Sequence, residues 1–167
     1  MNELVDKLIE LLQEETVIFI GMLGILEQEN SALLSSDVKL LDEVMKAKEN
    51  EVLKIRFLED QRGKLAKIIA RRLGLNTHAV SLPKIAEKMS KSYSETLMDL
   101  SEQLEELLHG IKEMNLKNKK LVEHSLGLVK DSLLLLDNLL SPSPVYHHNG
   151  RFNQSNQHAG RLICHSI

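Results

Sequence analysis

The chain has 167 residues and is 43% hydrophobic but only 3% aromatic, with no Trp, so its core rests on aliphatic side chains. Such a core fits helix–helix seams and argues against a sandwich or an α/β sheet. The net charge is −3. Arg151 and Arg161, with no acid after residue 140, put +2 on residues 141–167 and leave −5 on residues 1–140, a balance that argues against a nucleic-acid binder.

The predicted elements follow in chain order. A first helix is expected over about 2–34, where Leu4, Leu8, Leu11, Leu12, Ile18, Met22, Ile25 and Leu26 recur at three- and four-residue steps. Gly21 and Gly24 cost helix stability there, and their expected use is to let another helix approach closely rather than to kink the chain. Asp37 is a good N-cap for a second helix over about 37–73, lined by Val38, Leu41, Val44, Met45, Val52, Ile55, Leu58, Leu65, Ile69 and Leu73. Arg71 and Arg72 suit its C-terminus and Gly74 is its stop.

Ser81 is positioned to cap a third helix over about 82–140, with Pro83 in its first turn. Its stripe is Ala86, Met89, Tyr93, Leu97, Leu100, Leu104, Leu107, Ile111 and Met114, and it passes Gly110 without interruption. It then meets Asn118 and resumes, shifted by one, as Val122, Leu126, Val129, Leu133, Leu136 and Leu140, the drift expected when 3.6 residues per turn carry a 3.5 pattern. The fold expected is all-α: an antiparallel bundle or coiled coil of three long helices. The first two helices would each be about 50–55 Å long and the third about 90 Å, so part of the third would project and expose leucines to a partner or to a second copy. A homodimer through the third helix is one such outcome.

Asn118 stands where the stripe expects Leu. A buried asparagine fixes register at a cost in stability, and a solvated one does neither; both readings stay open, with Asn115 beside it on the same face. The prolines of Ser141-Pro142-Ser143-Pro144 end the helix, dividing the chain into a helical body, 1–140, and a flexible tail, 141–167. Tyr146 on that tail suits a partner's pocket or folds back on the helix end.

Chemistry is sparse. There is no Gly-x-Ser-x-Gly, no Gly-rich phosphate loop and no His-Glu-x-x-His, and charged runs such as Glu49, Glu51 and Lys54 read as solvated helix faces. The tail groups His147, His148, His158, Cys164 and His165 match no metal-ligand spacing. No enzyme, metal or cofactor is expected. One cysteine, an N-terminus without a signal-peptide pattern and an apolar run (17–26) too short for a bilayer point to a cytoplasmic protein without membrane insertion.

The run Asn115-Leu116-Lys117-Asn118-Lys119-Lys120-Leu121, then Ser125-Leu126, then Tyr146-x-x-x-Gly150 and Gly160-Arg161, resembles the FlgN family of flagellar export chaperones. Ala32-Leu33-Leu34, Asp37, Leu40-Leu41, Lys48 and Leu58-Glu59-x-x-Arg62 agree with that family's N-terminal half. The resemblance implies a cytoplasmic helical chaperone that holds the hook-associated proteins FlgK and FlgL unpolymerised and delivers them to the export gate component FlhA. It implies gate docking through Tyr146 and Gly150, and client binding by the C-terminal segment. The clients' apolar helices would meet the leucine seam (Leu126, Val129, Leu133, Leu136, Leu140) and Phe152, Leu162, Ile163 and Ile167 of the tail. His147 and His148 depart from the small or acidic residues common between the family's Tyr and Gly. The alternative reading is a structural or signalling coiled-coil adaptor without an export role.

Overall fold

The computed structural model describes residues 1–77 and 80–140, and among these every regular element is a helix: α1 (Asn2–Ser35), α2 (Val38–Arg72), α3 (Leu82–Ala86) and α4 (Lys91–Leu140). They fall into two compact units, Met1–Ser125 and a second that begins at Leu126.

In the first unit the expected all-α antiparallel bundle is present. The seam of α1 runs through Val5, Leu8, Leu12, Glu15, Phe19, Met22, Leu26 and Glu29, all buried at alternating three- and four-residue steps. Cross-helix pairs fix the directions. Glu15 meets Arg62 and Glu29 meets Lys48, so α2 runs antiparallel to α1. Tyr93 meets Asp6 and Asn118 meets Asn30, at sequence separations of 87 and 88, so α4 runs parallel to α1 with one register throughout. Leu8, Leu12, Phe19, Leu58, Leu65, Ile69, Ile85, Leu97, Leu100 and Leu104 belong to one apolar core.

The turns are built by capping. Ser36 adopts the left-handed conformation (φ 56°), and the amide of Asp37 returns to the carbonyl of Ala32 at 3.0 Å, closing α1. The carboxylate of Asp37 then accepts from the amides of Lys39 (3.1 Å) and Leu40 (3.0 Å), opening α2 as the sequence predicts. Gly74, at φ 69°, terminates α2 while the amide of Leu75 reaches the carbonyl of Ala70 at 2.9 Å.

Four expectations are corrected. The third helix does not start at 82 and run unbroken. After α3 the amides of Lys88 and Met89 bond three residues back, to Ile85 and Ala86, which tightens the chain into a turn, and the carbonyl of Ser90 starts α4 by accepting from Ser94. Ile85 and Ala86 are thereby buried in the core, while the Ser81 side chain makes no cap bond. α4 does continue through Gly110. Gly21 and Gly24 bring no described helix close: among the described residues a Cβ on either meets nothing within 4 Å, because both lie off the buried seam. Val38 and Met45 are exposed, since the seam of α2 passes through Leu41, Val44, Lys48, Glu51, Ile55, Leu58, Arg62, Leu65 and Ile69 instead. Glu51, read as a solvated surface residue, sits on that seam: one carboxylate oxygen pairs with Lys54 at 2.8 Å and the other is buried without a partner among the described residues.

Candidate functional site

Two features of the described helices bear on function, one in each unit. In the first unit the seams of α1, α2 and α4 each carry polar side chains where leucine would fit, and these find one another. Asn118 is 2% exposed. Its amide donates to the carbonyl of Leu26 (2.8 Å) and to a carboxylate oxygen of Glu29 (2.9 Å), and its oxygen accepts from the amide of Asn30 (2.7 Å). The Lys48 ammonium donates to both oxygens of Glu29, at 2.8 and 3.1 Å, and to the side-chain oxygen of Asn115 at 3.1 Å. The open question over Asn118 is thus settled as burial: a satisfied polar layer ties three helices at one level. Asn115 is exposed and reaches that layer through Lys48.

Two heptads back along α1, Glu15 forms a second such contact. It is 1% exposed and accepts from the Arg62 Nε at 2.8 Å. Burial raises its pKa above the ordinary carboxylate value; the Arg62 hydrogen bond and charge pull it down, and Glu59 pushes it up. Glu15, Glu29 and Asn30 were not singled out from the sequence, and Lys48 and Arg62 entered only through the family resemblance, not as buried partners. The signal was there: Glu15 and Glu29 continue the three-four rhythm of α1, and Lys48 and Arg62 that of α2.

In the second unit, the segment of α4 from Leu126 shows the opposite character. Leu126, Val129, Leu133 and Leu136, the predicted client-facing residues with described side chains, are all exposed, and so are Leu128, Leu134, Leu135 and Leu139. Leu133 to Leu136 are consecutive, so the apolar surface extends around the helix rather than forming one stripe. Leu140 closes α4. Tyr146, Gly150, Phe152, Leu162, Ile163 and Ile167, and the flexible tail they were assigned to, lie outside the described residues.

The chain matches the FlgN protein family over residues 1–154. It belongs to the FlgN family. That family is one of flagellar export chaperones, which bind flagellar proteins and are not enzymes. The matched span takes in both features above and continues past Tyr146 and Gly150. Comparison with curated proteins and with solved structures returns no match. For this FlgN-family chain no described helix is long and apolar enough to cross a membrane. Among the described residues no group of three or more His, Cys, Asp or Glu is placed to hold a metal; the five His and Cys residues of the tail lie outside them.

Proposed function

We propose that this chain is a cytoplasmic chaperone for hook–filament junction proteins of the FlgK and FlgL type. It holds their terminal helices on the leucine surface of α4 and hands them to the export gate component FlhA. The observation that carries the reading is the exposure of Leu126, Val129, Leu133 and Leu136 in a chain of a flagellar chaperone family. Exposed leucine on this scale has a hydration cost that an amphipathic client helix removes, reversibly and without ATP. Leu140 extends this surface, and Phe152, Leu162, Ile163 and Ile167 add to it on the tail, 141–167, which acts as a separate recognition segment beside the body, 1–140. Tyr146 and Gly150 serve docking on the gate. Asn115 and Asn118 set the register of the body. Self-association through the same leucine surface competes with clients.

The deciding experiment is co-purification of the full chain with FlgK- and FlgL-type proteins. The expected outcome is a soluble complex that Leu133→Ser with Leu136→Ser weakens at least about tenfold, with helicity by circular dichroism unchanged because both side chains are exposed. Tyr146→Ala is expected to spare that complex and to weaken capture by the cytoplasmic part of FlhA. Client binding unaffected by the double substitution rejects this assignment of the leucine surface.

A further inference from the structure

Within the first unit, the parallel helices α1 and α4 leave an open groove with a cavity volume of about 300 Å³. Thr16, Ile20 and Leu23 of α1 and Gln103, Glu106 and Leu107 of α4 line it, and α2 contributes no lining residue. Ile20 is 56% exposed. Gly110 closes the floor: a Cβ there would meet the Leu23 side chain at 3.5 Å. Gly24, one turn beyond Ile20 on the α1 wall, has nothing within 4 Å of the place a Cβ would take, so its backbone stays open to an incoming chain.

Both walls carry the same charge. Residues within one turn of the lining positions span 12–27 on α1 and 99–111 on α4, and neither span contains a Lys or Arg. The α4 span carries Asp99, Glu102, Glu105 and Glu106, all exposed. The α1 span carries Glu14 and Glu27, both exposed, and Glu15, which is buried and paired with Arg62 of α2. The one histidine in the two spans, His109, lies against Glu113 at 3.3 Å. An apolar cleft walled by one sign of charge concentrates the opposite sign.

That rule sorts the occupants. Nucleic acid, an anionic membrane and an acidic helix are repelled. Two copies meeting face to face through this groove would oppose the carboxylates of four walls. A second copy could bring cations only from another face, such as α2. That contact is head to tail and leaves the incoming copy's own groove open to the next, so it propagates rather than closes. A groove between two parallel helices takes the ridge of a third helix. We propose that the α1–α4 groove docks a basic amphipathic helix of a partner protein, its apolar stripe on Ile20, Leu23 and Leu107 and its Lys or Arg facing Asp99, Glu106 and Glu27. The surface is separate from the leucine surface of α4 and stands whether or not that surface binds clients.

The test uses the full chain and a fluorescent 18-residue peptide with a Leu/Ala stripe flanked by lysines, followed by anisotropy. A counterpart peptide carries Glu for every Lys. The expected result is saturable binding of the basic peptide that weakens with added salt. Asp99→Lys with Glu106→Lys is expected to lower it at least about tenfold, and Ile20→Ser at least about fivefold. Helicity by circular dichroism should hold in both, because these side chains are exposed. Leu53→Ser with Phe57→Ser on α2, and Leu133→Ser with Leu136→Ser, are expected to retain wild-type binding. The proposal is overturned by absent binding of the basic peptide, by equal binding of the acidic one, or by wild-type binding in both groove variants. It is overturned equally if only the Leu53/Phe57 or the Leu133/Leu136 variant loses binding. Sedimentation of the chain alone showing an assembly that Ile20→Ser dissociates rejects it in favour of a second copy.

Discussion

Leu97 and Leu133 lie on the same helix, in the same kind of leucine-rich pattern, and have opposite surroundings. Leu97 is fully buried in the core formed with α1 and α2, whereas Leu133 is 47% exposed. Around Leu97 one stripe is apolar and most of the remaining positions are polar or charged, among them Thr96, Asp99, Ser101, Glu102, Gln103, Glu105 and Glu106, with Met98 the exception. Around Leu133, leucine occupies four successive positions and therefore every side of the helix. A helix meant to pack on one side keeps its other sides polar. A segment apolar on all sides has surface that no single neighbouring helix covers. The first pattern describes a scaffold and the second a surface held for something else.

The largest expected effect contrasts these two leucines directly. Leu97→Ala removes a fully buried side chain and is expected to cost about 2–5 kcal/mol of stability. Leu133→Ala changes an exposed position and is expected to stay within about 0.5 kcal/mol. Urea denaturation followed by circular dichroism measures both. Equal losses would mean that Leu133 is buried in solution, through self-association or a contact with the tail, and the contrast would fail.

A smaller effect is expected at Asn118, where the scaffold itself departs from the leucine pattern. Asn118→Ala strands the amide of Asn30 and takes a donor from Glu29 inside the bundle, at an expected cost of about 2–3 kcal/mol. Asn118→Leu restores the apolar stripe but orphans the same two partners, so it is expected to bring no gain. A clear rise in urea midpoint for Asn118→Leu, with the fold unchanged, would show that the polar layer does not stabilise the register.

Much of this was legible in the sequence, and the exceptions have physical causes. Asp37 and Gly74 announced two helix ends because cap and left-handed glycine signals are local. The break after Ala86 was not legible, because Leu82, Ile85, Ala86, Met89 and Tyr93 keep helical spacing across the turn. Spacing records phase and cannot register a turn that preserves it. The buried pairing of Glu15 with Arg62 was missed because charged residues in a helix are ordinarily solvated. Only the pairing of two seams, one from each helix, makes burying them affordable. Gly21 and Gly24 were misread because a sequence does not say which face of a helix the chain itself will cover. The exposed leucines of α4 were anticipated from helix length.

The smallest expected effect sharpens the scaffold half of the comparison, through the buried carboxylate at Glu15. Burial raises the Glu15 pKa above its usual value despite the opposing pull of Arg62, so the folded chain holds this proton more tightly than the unfolded chain does. The contribution of that proton to stability is full below the unfolded pKa of about 4.5 and is lost as pH rises through the higher folded value. Glu15→Gln keeps the shape and removes the titration. Wild type should therefore lose stability relative to Glu15→Gln as pH climbs from about 4.5 toward neutrality, and then run parallel to it. Paired urea titrations at stepped pH measure this difference directly, with the other carboxylates common to both proteins. A difference that grows in the opposite direction would mean that Arg62 outweighs burial and that Glu15 is a net stabilising ion pair. The seam would then be held by charge at this level, rather than tolerating it.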